Sequence, residues 1–230
     1  MKGVAFVSII LCAACDPPRK PAGALDEGQP DKIEDFAVLF RSQCAGCHGE
    51  EGRGGPALGL SNPVYLAMVD DATLHRTIAA GVPGTSMPAF ASAEGGMLTD
   101  HQVGVIAQGI PAHWRRPIGD VTPPPYAGPP GDAARGATVY QSRCASCHAG
   151  GGVAASETSI LDGSFLALVS PQGLRTTVIA GRPELGHPDW RNDGRGDPLS
   201  SQQIADVVAW MLSHRPAFPG QPYSSTSPAP

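Results

Sequence analysis

Two five-residue runs constrain this 230-residue chain more than anything else in it: Cys44-Ala45-Gly46-Cys47-His48 and Cys144-Ala145-Ser146-Cys147-His148, placed 100 positions apart. Each carries two thiols three residues apart with an imidazole directly after the second. That is the spacing at which two thiols add across the two vinyl groups of one porphyrin, while the following His reaches the iron from the proximal side. A structural zinc site would want four closed ligands, usually two Cys pairs or a Cys pair with a nearby His-x3–5-His, and neither run has them close by. A Cys-x-x-Cys disulfide would not require the His to recur. The expectation is two covalently attached haem c groups, with Cys44, Cys47, Cys144 and Cys147 as thioether positions and His48 and His148 as proximal ligands.

The chain begins Met1-Lys2, and Gly3 to Ala14 is an apolar run. At about twelve residues it is too short to span a bilayer, which takes about twenty, and it suits the core of a signal peptide. Ala13-Ala14-Cys15 resembles a bacterial lipobox, in which the Cys is lipidated and becomes the mature N-terminus. Cys12 stands where that pattern prefers Leu, Val or Ile, and ordinary cleavage with release is the alternative. Asp16 resembles the inner-membrane retention signal of enteric bacteria. These features predict a signal peptide over 1–14, a lipid on Cys15, and a location on the periplasmic side of the bacterial inner membrane. Of six cysteines, four sit in the haem runs, Cys12 lies in the removed segment and Cys15 is the lipid position. None remains for a disulfide, although the exported compartment would permit one.

Without residues 1–14 the chain keeps 15 Lys and Arg against 21 Asp and Glu, about −6. There is no basic stripe of the kind that nucleic acid binding needs. Composition also marks the boundaries. Residues 15–30, rich in Pro, Gly and charge, read as a tether. Residues 111–130, with Pro123-Pro124-Pro125 and Pro129-Pro130, read as a semi-extended linker that lets the flanking domains swing or dock. Residues 216–230 read as a disordered tail. The folded parts are then 31–110 and 131–215, each under a hundred residues and poor in aromatics, which make up 6% of the chain. Units that small bury little surface alone, and an inserted haem would supply the missing apolar core.

The two parts are a duplication. Phe36, Phe40 and Cys44 lie four residues apart, a helical stripe leading into the first run, and Gly136, Tyr140 and Cys144 repeat it. Thr73 to Gly81 lines up with Gly173 to Gly181, a short helix ended by Gly. Leu98 to Val103 lines up with Leu199 to Ile204, each a capped start to a last helix.

On these residues the chain resembles class I cytochrome c in a dihaem arrangement. The resemblance implies an all-α fold of two tandem class I cytochrome c domains, each wrapped around a covalent haem, with first and last helices crossing. It implies that a Pro in the loop after His48, here Pro56 in Gly54-Gly55-Pro56, offers its carbonyl to the proximal His, fixing its tautomer. It implies that Gly84-Thr85-Ser86-Met87-Pro88-Ala89-Phe90 is the distal loop with Met87 as sixth ligand. In the last helix, Trp210 aligns with Gly109, so the first domain's helix crossing should be the looser one.

The second domain departs from this pattern. His187, in Gly186-His187-Pro188, stands where Met87 stands in the first: both lie 39 residues after their proximal His, and both precede Pro. A bis-His second haem follows; the alternatives are a surface His187 with five-coordinate iron, or Met211 as ligand. Met211 reads as core beside Val207, Val208 and Leu212. Met68 and Met97 read as packing. His75, His101, His113 and His214 read as solvated, and Arg53 and Arg191 lie near the haem loops. The loop after His148, Ala149 to Val153, has no Pro, so the carbonyl for His148 is not assigned.

Six-coordinate haem leaves no open site for substrate. The resemblance therefore implies a membrane-tethered periplasmic dihaem carrier of single electrons, in a respiratory chain or as the cytochrome subunit of a larger redox complex. Its partners would be redox proteins: an oxidase, a quinol-oxidising complex or a dehydrogenase. Met/His ligation raises the potential relative to other pairs, so the first haem should be the higher. The rival class is a dihaem enzyme such as a peroxidase or thiosulfate dehydrogenase. Such enzymes are usually longer, and the sulfur enzymes use a Cys ligand that this chain does not have to spare.

Overall fold

Ten α-helices, set out as two matching series of five, make up the described structure. The computed structural model describes residues 30–148, 160–191 and 197–217. The expectations for the signal segment, Cys15, the loop after His148 and most of the tail lie outside the described residues. The first series is α1 (Phe36–Gln43), α2 (Ala45–His48), α3 (Pro63–Met68), α4 (Asp71–Ala80) and α5 (Asp100–Trp114); the second is α6 (Ala133–Arg143), α7 (Ala145–His148), α8 (Gly163–Leu168), α9 (Pro171–Ala180) and α10 (Ser201–Ser213). The described residues hold no β-strand, only two isolated bridges, Ala91 to Leu98 and Arg182 to His187. The all-α expectation holds. Among the described residues no helix is long and apolar enough to cross a membrane.

Local chemistry sets the helix ends. Asp35, Asn62, Asp70, Asp132, Asp162 and Ser170 each accept from a first-turn backbone N–H of α1, α3, α4, α6, α8 and α9. Thr99 and Ser200 do the same for α5 and α10, and there Gln102 and Gln203 return the bond, completing a capping box in each series. Helices α4 and α9 stop at Gly81 and Gly181, whose φ values of 66° and 65° are open to glycine at little cost. Helix α5 runs on to Trp114, past the expected linker start at 111. Pro111 gives up one ladder bond there, and its own carbonyl still receives the N–H of Arg115 at 2.9 Å.

The terminal helices cross in both series, with the large and small residues exchanged. In the first, Phe36 lies over Gly109, where a Cβ would sit 2.1 Å from the ring. In the second, Gly136 faces Trp210 and the Asp206 carbonyl, and a Cβ there would lie 2.0 Å from that oxygen. The backbones of α6 and α10 thus approach closely, whereas an aromatic ring separates α1 from α5. The first crossing is wider, as expected, but it is filled by Phe36, with His113 stacked on it at 4.3 Å and Trp114 edge-on at 5.7 Å. Arg135 and Asp206 lock the second crossing through two hydrogen bonds of 2.8 Å.

The segment between the series is held down by side chains of the second series. The carbonyls of Pro125 and Tyr126 accept from the buried Arg175 at 2.8 and 3.0 Å, and Gln172 adds a third bond. The two series also touch. Asn62 Nδ2 donates to the Ala180 carbonyl at 2.9 Å, and Arg182 donates to the Gly55 carbonyl at 2.8 Å. One apolar cluster runs through both, from Leu60 and Val64 to Ile179 and Ala180.

Candidate functional site

Helix α1 delivers Cys44, whose N–H donates to the Phe40 carbonyl at 2.8 Å, and the next turn closes on it: the N–H groups of Cys47 and His48 reach the Cys44 carbonyl at 3.2 and 3.0 Å. Cys44 is buried and Cys47 exposed, and both thiols are free. Burial, with Cys47 second, pushes the Cys44 thiol up to about 11. The same construction recurs from Tyr140 through Cys144 to His148, and burial pushes Cys144 up to about 11 as well.

The chain then folds back on the first run. Gly49, at φ 81°, lets it reverse, since a Cβ there would lie 1.8 Å from the Arg53 carbonyl oxygen. Ala57 N–H donates to the Cys47 carbonyl at 2.9 Å, and the Leu58 carbonyl meets His48 Nδ1 at 2.7 Å. A carbonyl only accepts, so Nδ1 carries the proton and Nε2 keeps its lone pair for a metal. This corrects the expectation for Pro56. The acceptor comes two residues after the proline, and Pro56's own carbonyl accepts from Arg182 at 3.4 Å. Burial holds the His48 pKa below its ordinary value, the Leu58 carbonyl opposing and Arg182 assisting. The corresponding loop after His148 lies outside the described residues.

The distal segments share two of their backbone bonds in kind. Val82 N–H donates to the Met87 carbonyl and Arg182 N–H to the His187 carbonyl, both at 3.0 Å. Phe90 and Trp190 tie back to Ile78 and Ile179 at 3.1 and 3.0 Å. At Gly81 and Gly181 a Cβ would lie 2.4 and 2.6 Å from the carbonyl carbons of Pro88 and Pro188, so only glycine lets each loop fold against its helix end. Met87 and His187 therefore hold equivalent places. Met87 is half-buried against the cluster that contains Cys44.

The rings of His148 and His187 come together, with centroids 5.9 Å apart and planes tilted by 45°. His187 Nδ1 is buried without a hydrogen-bond partner, a state that calls for an explanation such as an ion. Burial lowers the pKa of both imidazoles, with His148 a second cause for His187. Two neutral, half-buried imidazoles with rings 5.9 Å apart fit a cationic metal centre, and thiols at Cys144 and Cys147 fit a covalently held macrocycle.

The remaining candidates fall elsewhere. Met211 is core, packed with Leu166, Leu174 and Val208. Met68 packs as expected, but Met97, expected to pack, is 82% exposed. Neither His113 nor His214 is simply solvated: their Nδ1 atoms bond the Gly109 and Trp210 carbonyls at 2.8 Å. His75 and His101 lie 3.5 and 3.4 Å from Asp100 and Glu34. Arg191 pairs with Asp189 and lies over the Trp190 ring. Sequence reasoning missed Arg182, and one signal was available: it replaces the apolar Val82 at the repeat spacing.

Residues 31–108 and 131–211 match the family model described as cytochrome c oxidase, cbb3-type, subunit III. The chain is 31% identical over 144 residues to the cbb3-type cytochrome c oxidase subunit CcoP of Azospirillum sp. (strain B510), a match covering 55% of this chain and 45% of that protein. It thus spans less than half the length of that relative. It is 36% identical over 88 residues to cytochrome c-555 of Prosthecochloris aestuarii, covering 36% of this chain and 87% of that one. Among solved structures, a chain of the Kuenenia stuttgartiensis reducing HAO-like protein complex aligns with a TM-score of 0.48 at 20% identity, over 80% of this chain and 97% of its own.

Proposed function

Since this chain belongs to the family of cbb3-type cytochrome c oxidase subunit III, and so is a cytochrome c-type electron-transfer protein that carries covalent haem c, we propose that it holds two such haems and passes single electrons in a respiratory chain. The observation that carries this reading is the His148 to His187 pair at 5.9 Å, beside a Cys-x-x-Cys run built like the first.

Haem c supplies one-electron chemistry when bound. The chain's part is positioning. Cys44 and Cys47 would hold the first group, and Cys144 and Cys147 the second. The Leu58 carbonyl fixes the proton on His48 Nδ1 and so directs Nε2 at the metal. Met87 would be the sixth ligand of the first site and His187 of the second. Low pKa values keep the imidazoles neutral and able to donate at neutral pH. A thioether favours ferrous iron and an imidazole ferric iron, so the first site lies higher in potential.

Anchoring belongs to the same proposal. Its support is Ala13-Ala14-Cys15 after an apolar run; on this reading a lipid on Cys15 would hold the two haem units, about 31–114 and 131–215, at the periplasmic face of the inner membrane. The partners are redox proteins, an oxidase first among them, as the CcoP relative is by name an oxidase subunit. Purified chain from a host with haem-attachment machinery should carry two covalent haems by pigment assay and by mass, and one after Cys144→Ala with Cys147→Ala. One haem in the unaltered chain overturns the reading. Cys15→Ala should release the chain from membranes; a mature chain without lipid would refute the anchor.

A further inference from the structure

From the contacts of one side chain we infer that Arg182 is a positioning residue shared by both sites, tying the loop that orients His48 to the segment that carries His187. This rests on the two-haem reading above. Its guanidinium belongs to the second series but closes on the first, where Nη2 donates to the Gly55 carbonyl at 2.8 Å and Nη1 to the Pro56 carbonyl at 3.4 Å. Those carbonyls lie in the loop that ends in Leu58, the acceptor for His48 Nδ1. The backbone of the same residue forms an antiparallel bridge to His187, with both N–H to carbonyl distances 3.0 Å.

The first series has only half of this bridge: Val82 N–H donates to the Met87 carbonyl at 3.0 Å, but Met87 N–H turns to Thr85 Oγ1 at 3.2 Å, and the apolar Val82 has no guanidinium to reach across. The Arg182 side chain is 16% exposed, and its Nε is held by Glu184 at 2.7 Å. Glu184 in turn lies against Gly59. A planar fork serving three acceptors on two elements has a fixed aim, which a lysine ammonium would not reproduce. Movement of one ligand segment is thereby felt by the other, through a bonded route that crosses between the series.

The test uses the full chain with its haems counted first. Arg182→Lys keeps the charge but cannot hold Glu184 and two carbonyls together. The Leu58 carbonyl then loosens from His48, the imidazole becomes a poorer donor, and the first midpoint potential rises. The expected change is at least threefold in its reduction equilibrium, about 28 mV at 59 mV per tenfold for one electron. In the same variant, and in Arg182→Gln, solvent exchange of the His48 Nδ1 proton, read by nuclear magnetic resonance, should quicken at least tenfold. Asn62→Ser removes a second bond between the series, to Ala180, while a hydroxyl still caps α3; it should leave both readouts unchanged. A purely local role for Arg182 would move only the second site. An unchanged first midpoint and unchanged His48 exchange, in either variant with two haems attached, overturns the inference alone. A wild-type chain with one haem overturns it together with the reading beneath.

Discussion

His148 and His187, 39 positions apart in the chain, face each other with ring centroids 5.9 Å apart, and the Nδ1 of His187 has no protein partner. Imidazole is the better donor to ferric iron and thioether the softer partner for ferrous. His187→Met should therefore raise the second midpoint potential and narrow the gap to the first, while Met87→His should lower the first. Redox titration with spectra at each step checks this. Two equal high potentials in the unaltered chain, each with the near-infrared band of Met ligation, would refute it.

The exchanged helix crossings make a second prediction. At Gly136 a new Cβ meets backbone, the Asp206 carbonyl, which cannot step aside without moving α10. At Gly109 it meets the Phe36 ring, which can rotate. Overpacking costs about 1–3 kcal/mol, and Ala gains about 1 kcal/mol over Gly in a helix. Gly136→Ala should thus destabilise by about 2 kcal/mol more than Gly109→Ala. Denaturant midpoints of the two variants give the comparison, and equal midpoints would refute it.

Short-range chemistry was legible in the sequence. The two Cys-x-x-Cys-His turns, the Gly ends of α4 and α9 and the caps of α5 and α10 each depend on residues within a few positions, and each stands where its residues placed it. The misreadings involve reach. Pro56 was the wrong carbonyl because the loop's path, set by Gly49 and by Ala57 on Cys47, decides which oxygen faces His48. No local pattern joins the linker to Arg175, some 50 positions on, which holds the carbonyls of Pro125 and Tyr126. Arg182 and Gly55 are 127 positions apart, and no local pattern joins them. The Phe36 and Gly109 exchange against Gly136 and Trp210 was within reach, since all four hold matching repeat positions, but only the packing shows them to be partners.

Asp206 supplies a pH prediction. Its side chain is 4% exposed, and hydrogen bonds from Arg135 first, then Gln202 and Asp132 N–H, outweigh the cost of burial and hold its carboxyl down from 3.8 to about 2. A depressed folded pKa contributes stability that is full above the unfolded value and is lost as pH falls through the folded one. Asp206→Asn should cost about 2 kcal/mol at neutral pH, in line with charge-assisted bonds, and the deficit should shrink between pH 3.8 and about 2. Urea unfolding across that range decides it; a deficit constant with pH would show that the charge is not what Arg135 holds.

The last prediction follows from where the charge lies. Residues 31–110 carry four Lys and Arg against nine Asp and Glu, a balance of −5, whereas residues 131–215 carry seven Arg against eight acids, −1. Several of the second set's charges are also neutralised in place: Arg135 by Asp206, Arg182 by Glu184, Arg191 by Asp189. The first unit thus projects the stronger field, and it is the one assigned the higher potential, where an electron rests before leaving. A partner docking there should present a basic surface, and attraction between opposite fields raises association rates by about 10 to 1,000-fold at low salt. Screening shortens that reach to about 8 Å at physiological ionic strength. Electron transfer from the reduced chain to a basic redox partner, followed by stopped flow, should therefore slow about tenfold between about 10 and 150 mM salt. Replacing Glu50 and Glu51, which flank the first haem run, with Gln should flatten that dependence. A rate indifferent to salt would mean that the acidic surface serves hydration and does not guide docking.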